Sequence, residues 1–198
     1  NFSTDLENAL IAQYGSVANA LLDENLGRLR VQDLDGIADN PTQTEIYDDL
    51  LMPGTRSISI WNASTGELVG DTGSLEGLLL SLTPEMHNAQ DGTPDEFDSR
   101  SDDKGPEPEA LTVAEIDGDW IAFIGLERQN GLLAFNITDP ANPFYVGYIN
   151  SYLDGLVSPE SLLYISAQDS PLGVRTLIAG YEVSGSIGVY VVDRKSVV

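Results

Sequence analysis

The chain contains no cysteine and only one histidine, His87, among its 198 residues. The lack of cysteine excludes disulfides, thiolate metal sites and a cysteine nucleophile. A single histidine cannot build a zinc site of the usual kind, which takes several cysteine or histidine ligands. No apolar run is long enough for a membrane-spanning helix. Walker-type, dinucleotide-binding and Gly-x-Ser-x-Gly motifs are absent as well.

Basic residues are scarce: 9 lysines and arginines stand against 32 aspartates and glutamates, a formal net charge of -23. Such a surface repels nucleic acid and anionic membranes, so we expect neither as a partner. With 41% hydrophobic residues the chain can still form a core. An acidic surface suits a salty or calcium-rich medium, and it serves solubility alone equally well.

Two segments in the second half of the chain repeat each other. Gly125–Thr138 (GLERQNGLLAFNIT) aligns without a gap with Gly180–Asp193 (GYEVSGSIGVYVVD). Upstream, a Pro-Glu pair begins a strand-like run in each copy, at Pro108 and Pro159. A weaker copy is Thr55–Gly73. Each unit therefore reads as Pro-Glu, strand, turn, strand ending in Glu, turn, and strand with an aromatic residue.

The segments between the turns are typical of short β-strands. They are rich in β-branched and aromatic residues and are bounded by Asp-Gly, Asn-Gly and Asp-Pro turns. The strands predicted for the best-defined unit are Ala110–Ile116, Trp120–Glu127, Leu132–Ile137 and Phe144–Ile149. Four antiparallel strands in a repeat of about 40–50 residues are typical of a β-propeller blade. A stacked β-sandwich is the competing all-β arrangement, but it does not predict repeated Pro-Glu and strand-end glutamate positions.

We therefore predict an all-β fold, a partial β-propeller of about three four-stranded blades, with an N-terminal helical insertion. Helical spacing predicts a helix from about Asp5 to Leu22, and Leu75–Leu82 a second short helix. The predicted boundaries are a helical insertion over 1–22, a partial propeller over 23–193 with blades at about 23–75, 106–150 and 156–193, and a long acidic loop over 83–105. Because three blades cannot close a ring, the expected partners are the missing blades of the same propeller.

Five stretches resemble the choice-of-anchor I family. They are DENLGRLRV, RSISIWNASTGELVGDTG, EFDSRSDDKGPEPEALTV, WIAFIGLERQNGLLAFNITDPANP and AQDSPLGVRTLIAGYEVSGSIGVYVV, and the resemblance spans roughly Asp23 to Val192. It implies a bacterial secreted or cell-surface protein, similar to animal mesenchyme-specific cell-surface glycoproteins. It also implies a YVTN-like propeller of about seven blades, of which this chain would be a C-terminal fragment.

The two ends of the chain also favour the interpretation that it is a fragment. It starts at Asn1, and the final DRKSVV resembles the translation of a sequencing-adapter read. We therefore expect an open reading frame truncated at both ends, from metagenomic data, with no biological information in residues 194–198.

Acidic residues concentrate where the repeats begin and where their second strands end. In a propeller these positions lie near one mouth of the central channel. Converging carboxylates repel one another unless a cation or a basic residue compensates, and calcium prefers such oxygen ligands. The candidate calcium ligands are Asp98, Asp102, Asp103, Glu107, Glu109, Glu127, Glu160 and Glu182. The alternative is that Arg100, Lys104 and Arg128 pair with these acids and hold the blades together.

A second acidic stretch, DLDGIAD, contains Asp33, Asp35 and Asp39. An EF-hand loop needs glycine at its sixth position and glutamate at its twelfth, and this stretch has neither. Calcium binding by the three aspartates stays open, but an ordinary acidic turn is the favoured interpretation.

Three functions are compatible with these features. The first is a secreted or cell-surface binding and adhesion module that uses the propeller face or channel mouth. The second is a calcium-dependent phosphoesterase, alkaline-phosphatase-like or phytase-like, in which the glutamates hold the metal and Arg100 or Lys104 neutralises developing charge. The third is a structural surface protein with no small-molecule site. The sequence identifies no catalytic residue, and a fold alone does not choose among the three.

Overall fold

The computed structural model describes residues 2–32, 47 and 49–193. They divide into two units, Asn1–Gly54 with Ser101–Lys104 and Thr55–Arg100 with Gly105–Val198. Among the described residues, no helix is both long enough and apolar enough to cross a membrane.

The first unit begins with two short helices, α1 (Thr4–Tyr14) and α2 (Val17–Ala20). The hydroxyl of Ser3 caps the start of α1. Gly15 ends this helix in the left-handed conformation, and the hydroxyl of Ser16 caps α2. The single helix predicted over Asp5–Leu22 is therefore two helices, because the Gly-Ser pair supplies a C-cap and a new N-cap inside the apolar pattern.

The second unit contains three antiparallel sheets and one helix, α3 (Glu76–Leu82). The first sheet is β1 (Ser59–Trp61) and β2 (Leu68–Asp71). The second sheet is β3 (Pro108–Ile116), β4 (Asp119–Leu126), β5 (Leu132–Asn136) and β6 (Phe144–Ile149). The third sheet is β7 (Pro159–Ile165), β8 (Thr176–Tyr181) and β9 (Ser186–Val191). Within each sheet, every strand pairs with its neighbour in sequence.

These elements confirm the all-β prediction, with few helices and no closed barrel in the part of the chain that the structure describes. The four strands predicted for the second sheet and the short helix at Leu75–Leu82 are confirmed. The prediction of four strands in each of about three sheets holds for the second sheet alone, since the described residues give two strands to the first and three to the third. The described part of 23–54 forms no strand of a sheet, and it begins with turns up to Arg28.

The stretch over 83–105, predicted as a long acidic loop, is made mostly of turns. It includes two single-turn 3-10 helices, Pro84–Met86 and Pro94–Glu96. Each begins at a proline, whose fixed φ suits the first position of a helix and whose missing N–H would have no partner there.

The second sheet packs on a neighbour at both of its faces. One face forms a buried cluster with the third sheet, and the ring of Phe123 stacks on that of Tyr164 with centroids 6.3 Å apart. The other face buries Ile124 and Phe135 against α3. Strand β7 also lies against β3, so the first strands of the two sheets are side by side.

The two aligned segments occupy matching places in consecutive sheets. Gly125–Thr138 contains the end of β4 and all of β5, whereas Gly180–Asp193 contains the end of β8 and all of β9. The sequence repeat is thus also a structural repeat, which places the glutamates at the ends of β4 and β8 in matching positions.

Candidate functional site

Glu109 and Glu160 lie in matching irregularities near the starts of β3 and β7. In both strands the register with the neighbouring strand shifts across the glutamate, so the glutamate has no partner in the ladder. A bulge of this kind adds one residue to a strand and re-aims its side chain. Both carboxylates are exposed.

The residue before the first proline of each strand has an unusual backbone. Glu107 and Ser158 have φ of 44° and 62°, in the left-handed region that side chains other than glycine seldom adopt. The carbonyl oxygen of Glu107 accepts from the N–H of Glu127 at 2.9 Å, and that of Ser158 accepts from the N–H of Glu182 at 2.8 Å. In both sheets, the same backbone geometry therefore joins the start of the first strand to the end of the second strand.

Five glutamate side chains meet at this end of the second and third sheets, and we call them the glutamate cluster. Carboxylate oxygens of Glu107, Glu109 and Glu127 lie within 4.8 Å of one another, and so do those of Glu127, Glu160 and Glu182. Glu107 and Glu127 are only 1% and 7% exposed, whereas the other three are open to solvent. The cluster thus has a buried inner part and an exposed outer part, with Glu127 common to both groups.

Arg128 lies beside the buried part of the cluster. Its Nε donates to the carboxylate of Glu107 at 2.8 Å, and its Nη2 is 2.6 Å from that of Glu127. Its Nη1 donates to the carbonyl oxygen of Gln90 and is 3.7 Å from the carboxylate of Asp91. Burial disfavours the charged guanidinium, but the bond to Glu107 and the nearby negative charges outweigh it and raise the pKa of Arg128. One cation thus compensates two buried carboxylates.

Protonation of a carboxylate provides part of the remaining compensation for the negative charge of the cluster. Burial raises the pKa of Glu127 to about 7, helped by a hydrogen bond with Glu107 and by the charges of Glu107 and Glu109, and opposed by Arg128. Burial, followed by the charge of Glu182, also raises the pKa of Glu160. Glu127 and Glu160 therefore hold protons more tightly than isolated carboxylates do, as expected for buried groups with like charges nearby.

Other predicted site residues lie in the first unit. The guanidinium of Arg30 approaches the carboxylates of Asp103 at 3.2 Å and Asp102 at 3.5 Å, and Arg28 is 3.8 Å from Asp102. Lys104 belongs to the same unit. These two aspartates thus have basic partners of their own, and neither belongs to the groups formed by the glutamate cluster.

The last candidates are two residues of the second unit and three aspartates of the DLDGIAD stretch. Asp98 and Arg100 lie in the second unit, where their backbone N–H groups donate to the carbonyl oxygens of His87 and Asn88. Asp98 does not belong to the carboxylate groups found among the described residues. The candidates Asp33, Asp35 and Asp39 lie outside the described residues.

The sequence analysis missed Asn130, which lies in the turn after β4 and is fully buried. Its side-chain nitrogen donates to the carbonyl oxygen of Leu156 at 3.0 Å, and its side-chain oxygen accepts from the N–H of Ser158 at 3.1 Å. Asn130 therefore connects the second sheet to the segment that leads into β7. The Asn-Gly pair at this position predicted the turn, but no sequence signal indicated its partners.

The sequence also has relatives among known proteins. A family model described as the choice-of-anchor I domain matches residues 3–140. Gigasin-3a of Magallana gigas is 27% identical over 188 residues, which cover 85% of this chain and 65% of that protein. The mesenchyme-specific cell surface glycoprotein of Strongylocentrotus purpuratus is 30% identical over 135 residues, 62% of this chain and 17% of that protein.

The chain thus spans less than two thirds of gigasin-3a and a small part of the sea-urchin glycoprotein. No solved structure matches it significantly. The resemblance derived from the sequence motifs is confirmed by the family model, which covers more than half of the chain. The chain belongs to the choice-of-anchor I domain family.

Proposed function

We propose that this chain is part of a surface-associated β-propeller that acts as a binding and adhesion module, with the glutamate cluster as its calcium site. The observation that carries the proposal is the meeting of five glutamates from consecutive sheets at one end of those sheets. A relative that is named a cell surface glycoprotein supports a place outside the cell, secreted or at the cell surface.

The propeller is supported by the way the second and third sheets repeat. They are consecutive antiparallel sheets, they pack face to face, and their first strands lie side by side. In a propeller, blades surround a central channel, so the matching ends of neighbouring first strands open toward one mouth of it. The glutamate cluster would then lie at that mouth.

Calcium is supported by the number and kind of ligand atoms. Calcium takes six to eight oxygen ligands, commonly from carboxylates. Glu109, Glu160 and Glu182 are exposed and offer such oxygens next to the buried Glu127. Burial is the main cause that raises the pKa of Glu127 and Glu160, and the charges of neighbouring glutamates add to it; a calcium ion in the outer part of the cluster would relieve that added repulsion.

Binding fits this geometry better than phosphate-ester hydrolysis. A phosphoesterase needs a cationic side chain that faces the phosphate next to the metal. Arg128 is engaged by Glu107 and Glu127.

Calorimetric titration of the metal-free chain with Ca²⁺ tests the proposal. We expect saturable binding at pH 7.5 that the double variant Glu109→Gln/Glu160→Gln weakens at least tenfold. Glu115→Gln is the matched control, because Glu115 is an exposed glutamate of β3 outside the two carboxylate groups. No binding by the wild type, or equal binding by wild type and double variant, contradicts a calcium site in the cluster.

A phosphatase assay of the same wild-type and variant proteins distinguishes calcium binding from catalysis. We expect no turnover of p-nitrophenyl phosphate with or without Ca²⁺. Calcium-dependent turnover that is lost in Glu109→Gln and kept in Glu115→Gln would instead support the phosphoesterase.

A further inference from the structure

A loop over residues 89–97 lies on the turn that joins β4 to β5. At the base of the loop, the N–H of Asp98 donates to the carbonyl oxygen of His87 at 2.8 Å. Within the loop, the N–H of Asp91 donates to the carboxylate of Glu96 at 2.8 Å. The 89–97 loop therefore holds its shape through hydrogen bonds of its own, as compact surface loops do.

The loop contacts the turn at Gly92 and at Gln90. Gly92 is buried with φ of 62°, and a Cβ added to it would lie 2.8 Å from the Cβ of Asn130. The carbonyl oxygen of Gln90 accepts from Nη1 of Arg128. Close packing thus places the loop against the turn, and Arg128 forms a polar attachment between them.

Arg128 joins this loop to the glutamate cluster, because its guanidinium nitrogens have different partners. Its Nε donates to Glu107 at 2.8 Å and its Nη2 is 2.6 Å from Glu127, so these two nitrogens face the cluster. Its Nη1 faces the loop, where the carboxylate of Asp91 is 3.7 Å away. The side chain of Asp91 is 42% exposed, so its pair with Arg128 is the longest and most solvated of the three.

A calcium ion in the outer part of the cluster would change how the charge of Arg128 is shared. Glu127 belongs to the outer carboxylate group with Glu160 and Glu182, so the ion would draw this carboxylate away from Arg128. The ion would also repel the guanidinium, and charges at a partly buried site are screened less than exposed ones. Both effects direct Arg128 toward the loop and strengthen its attraction to Asp91.

We propose that calcium binding in the outer part of the glutamate cluster tightens the 89–97 loop on the turn after β4, with Arg128 as the coupling residue. The inference rests on the calcium site proposed above and adds a form of regulation to it. The loop exposes Asp95 and Phe97, so calcium would fix the position of side chains that a partner of the binding module can reach. Such coupling is reciprocal, and a tightly held loop raises the affinity for calcium by the same factor.

Hydrogen exchange measured by mass spectrometry on the 198-residue chain tests the tightening. At pH 7.5, the amide hydrogens of the 89–97 loop should exchange about threefold more slowly in saturating Ca²⁺ than with a chelator, because a tighter loop opens less often. The connection between β7 and β8, residues 166–175, is the internal reference. Its exchange should not depend on calcium.

A matched pair of variants tests the route through Arg128. Asp91→Asn removes the charge that faces Nη1 and leaves the proposed calcium ligands in place. It should abolish most of the slowing by calcium, while the affinity for calcium changes by no more than about threefold. Asp95→Asn removes the same charge from an exposed position of the same loop and should keep the full slowing.

Calorimetric titration of the same samples with Ca²⁺ separates this inference from the calcium site itself. Saturable binding with unchanged or faster exchange of the loop overturns the coupling and leaves the calcium site intact. Equal slowing in Asp91→Asn and Asp95→Asn overturns it as well, because the effect then does not depend on the pair between Arg128 and Asp91. If no calcium binds, the proposed site and the coupling are both wrong.

Discussion

Glu107 and Ser158 occupy the same place in consecutive sheets, each with a left-handed backbone immediately before a proline. Each carbonyl oxygen accepts from the N–H of the glutamate that follows the second strand of its sheet. The side chains differ, since that of Glu107 binds Arg128, whereas the hydroxyl of Ser158 is 3.4 Å from the carbonyl oxygen of Glu127. One backbone geometry is thus repeated, and a different buried side chain completes it each time.

Replacing Arg128 tests its part in compensating the cluster. Arg128→Met should lower the free energy of unfolding by about 3–5 kcal/mol, because it leaves Glu107 and Glu127 buried without their cation. Urea denaturation at pH 8 measures the loss. Arg175→Met is the control: its partner Asp117 is exposed, and the loss of such a surface pair should leave stability nearly unchanged. Equal losses in the two variants would contradict a structural role for the buried pair.

Asn130 should be as important to the junction between the second and third sheets as any apolar residue there. Asn130→Ala leaves the N–H of Ser158 and the carbonyl oxygen of Leu156 without this partner, which should cost about 2–3 kcal/mol of unfolding free energy. The residue has φ of 57°, so Asn130→Gly removes the same bonds without adding backbone strain. Denaturant unfolding of both variants separates the loss of the hydrogen bonds from the backbone strain. Full stability of the glycine variant would show that the bonds contribute nothing.

Two glycines at matching positions should differ in their tolerance of a methyl group. A Cβ at Gly125 would lie 2.9 Å from the Cβ of Ala110 and 3.1 Å from the carbonyl oxygen of Pro159, in the next sheet. A Cβ at Gly180 would meet the Ser161 hydroxyl, which can rotate away. Gly125→Ala should therefore destabilise by about 1–3 kcal/mol and Gly180→Ala by clearly less, measured by thermal or urea unfolding. The reverse order would mean that β4 does not pack closely on β7.

Stability should fall with rising pH because of Glu127. Its pKa is about 7 in the folded chain and near 4.5 when unperturbed, so between these values the folded state holds a proton that the unfolded state has released. The free energy of unfolding should therefore decrease from about pH 5 to pH 8, in buffer with a chelator. Glu127→Gln should remove this part of the slope, and Glu115→Gln should keep it. A slope that survives in Glu127→Gln must come from another group.

The sequence predicted the second sheet well because its four strands are rich in β-branched and aromatic residues and are bounded by strong turn signals. It also predicted the residues of the glutamate cluster, since the repeat alignment places Glu109 with Glu160 and Glu127 with Glu182. It assigned Asp98, Asp102 and Asp103 to the same site because they precede Glu107 closely in the chain. In the structure, Asp102 and Asp103 lie in the first unit beside Arg30, and Asp98 is not a member of the carboxylate groups found among the described residues.

Other features could not be predicted because they depend on packing between distant segments. Arg128 was named from the sequence as one of three basic residues that pair with acids, but only the folded chain shows that it binds two buried carboxylates. The burial of Asn130 against Leu156 is of the same kind. The prediction of a single helix over Asp5–Leu22 was wrong for a local reason. It relied on the helical spacing of apolar residues and overlooked Gly15 and Ser16, which end one helix and begin the next.

The most direct test of the account is a pH titration of the glutamate side-chain carboxyl carbons by NMR, in metal-free buffer, with Glu127 assigned by loss of its signal in Glu127→Gln. The account requires carboxylates from two consecutive sheets to meet around this residue. It predicts that the Glu127 signal titrates near pH 7. If Glu127 titrates between about pH 4 and 5 like an isolated glutamate, it is not the buried carboxylate surrounded by other glutamates that the proposed site requires, and the proposal is contradicted.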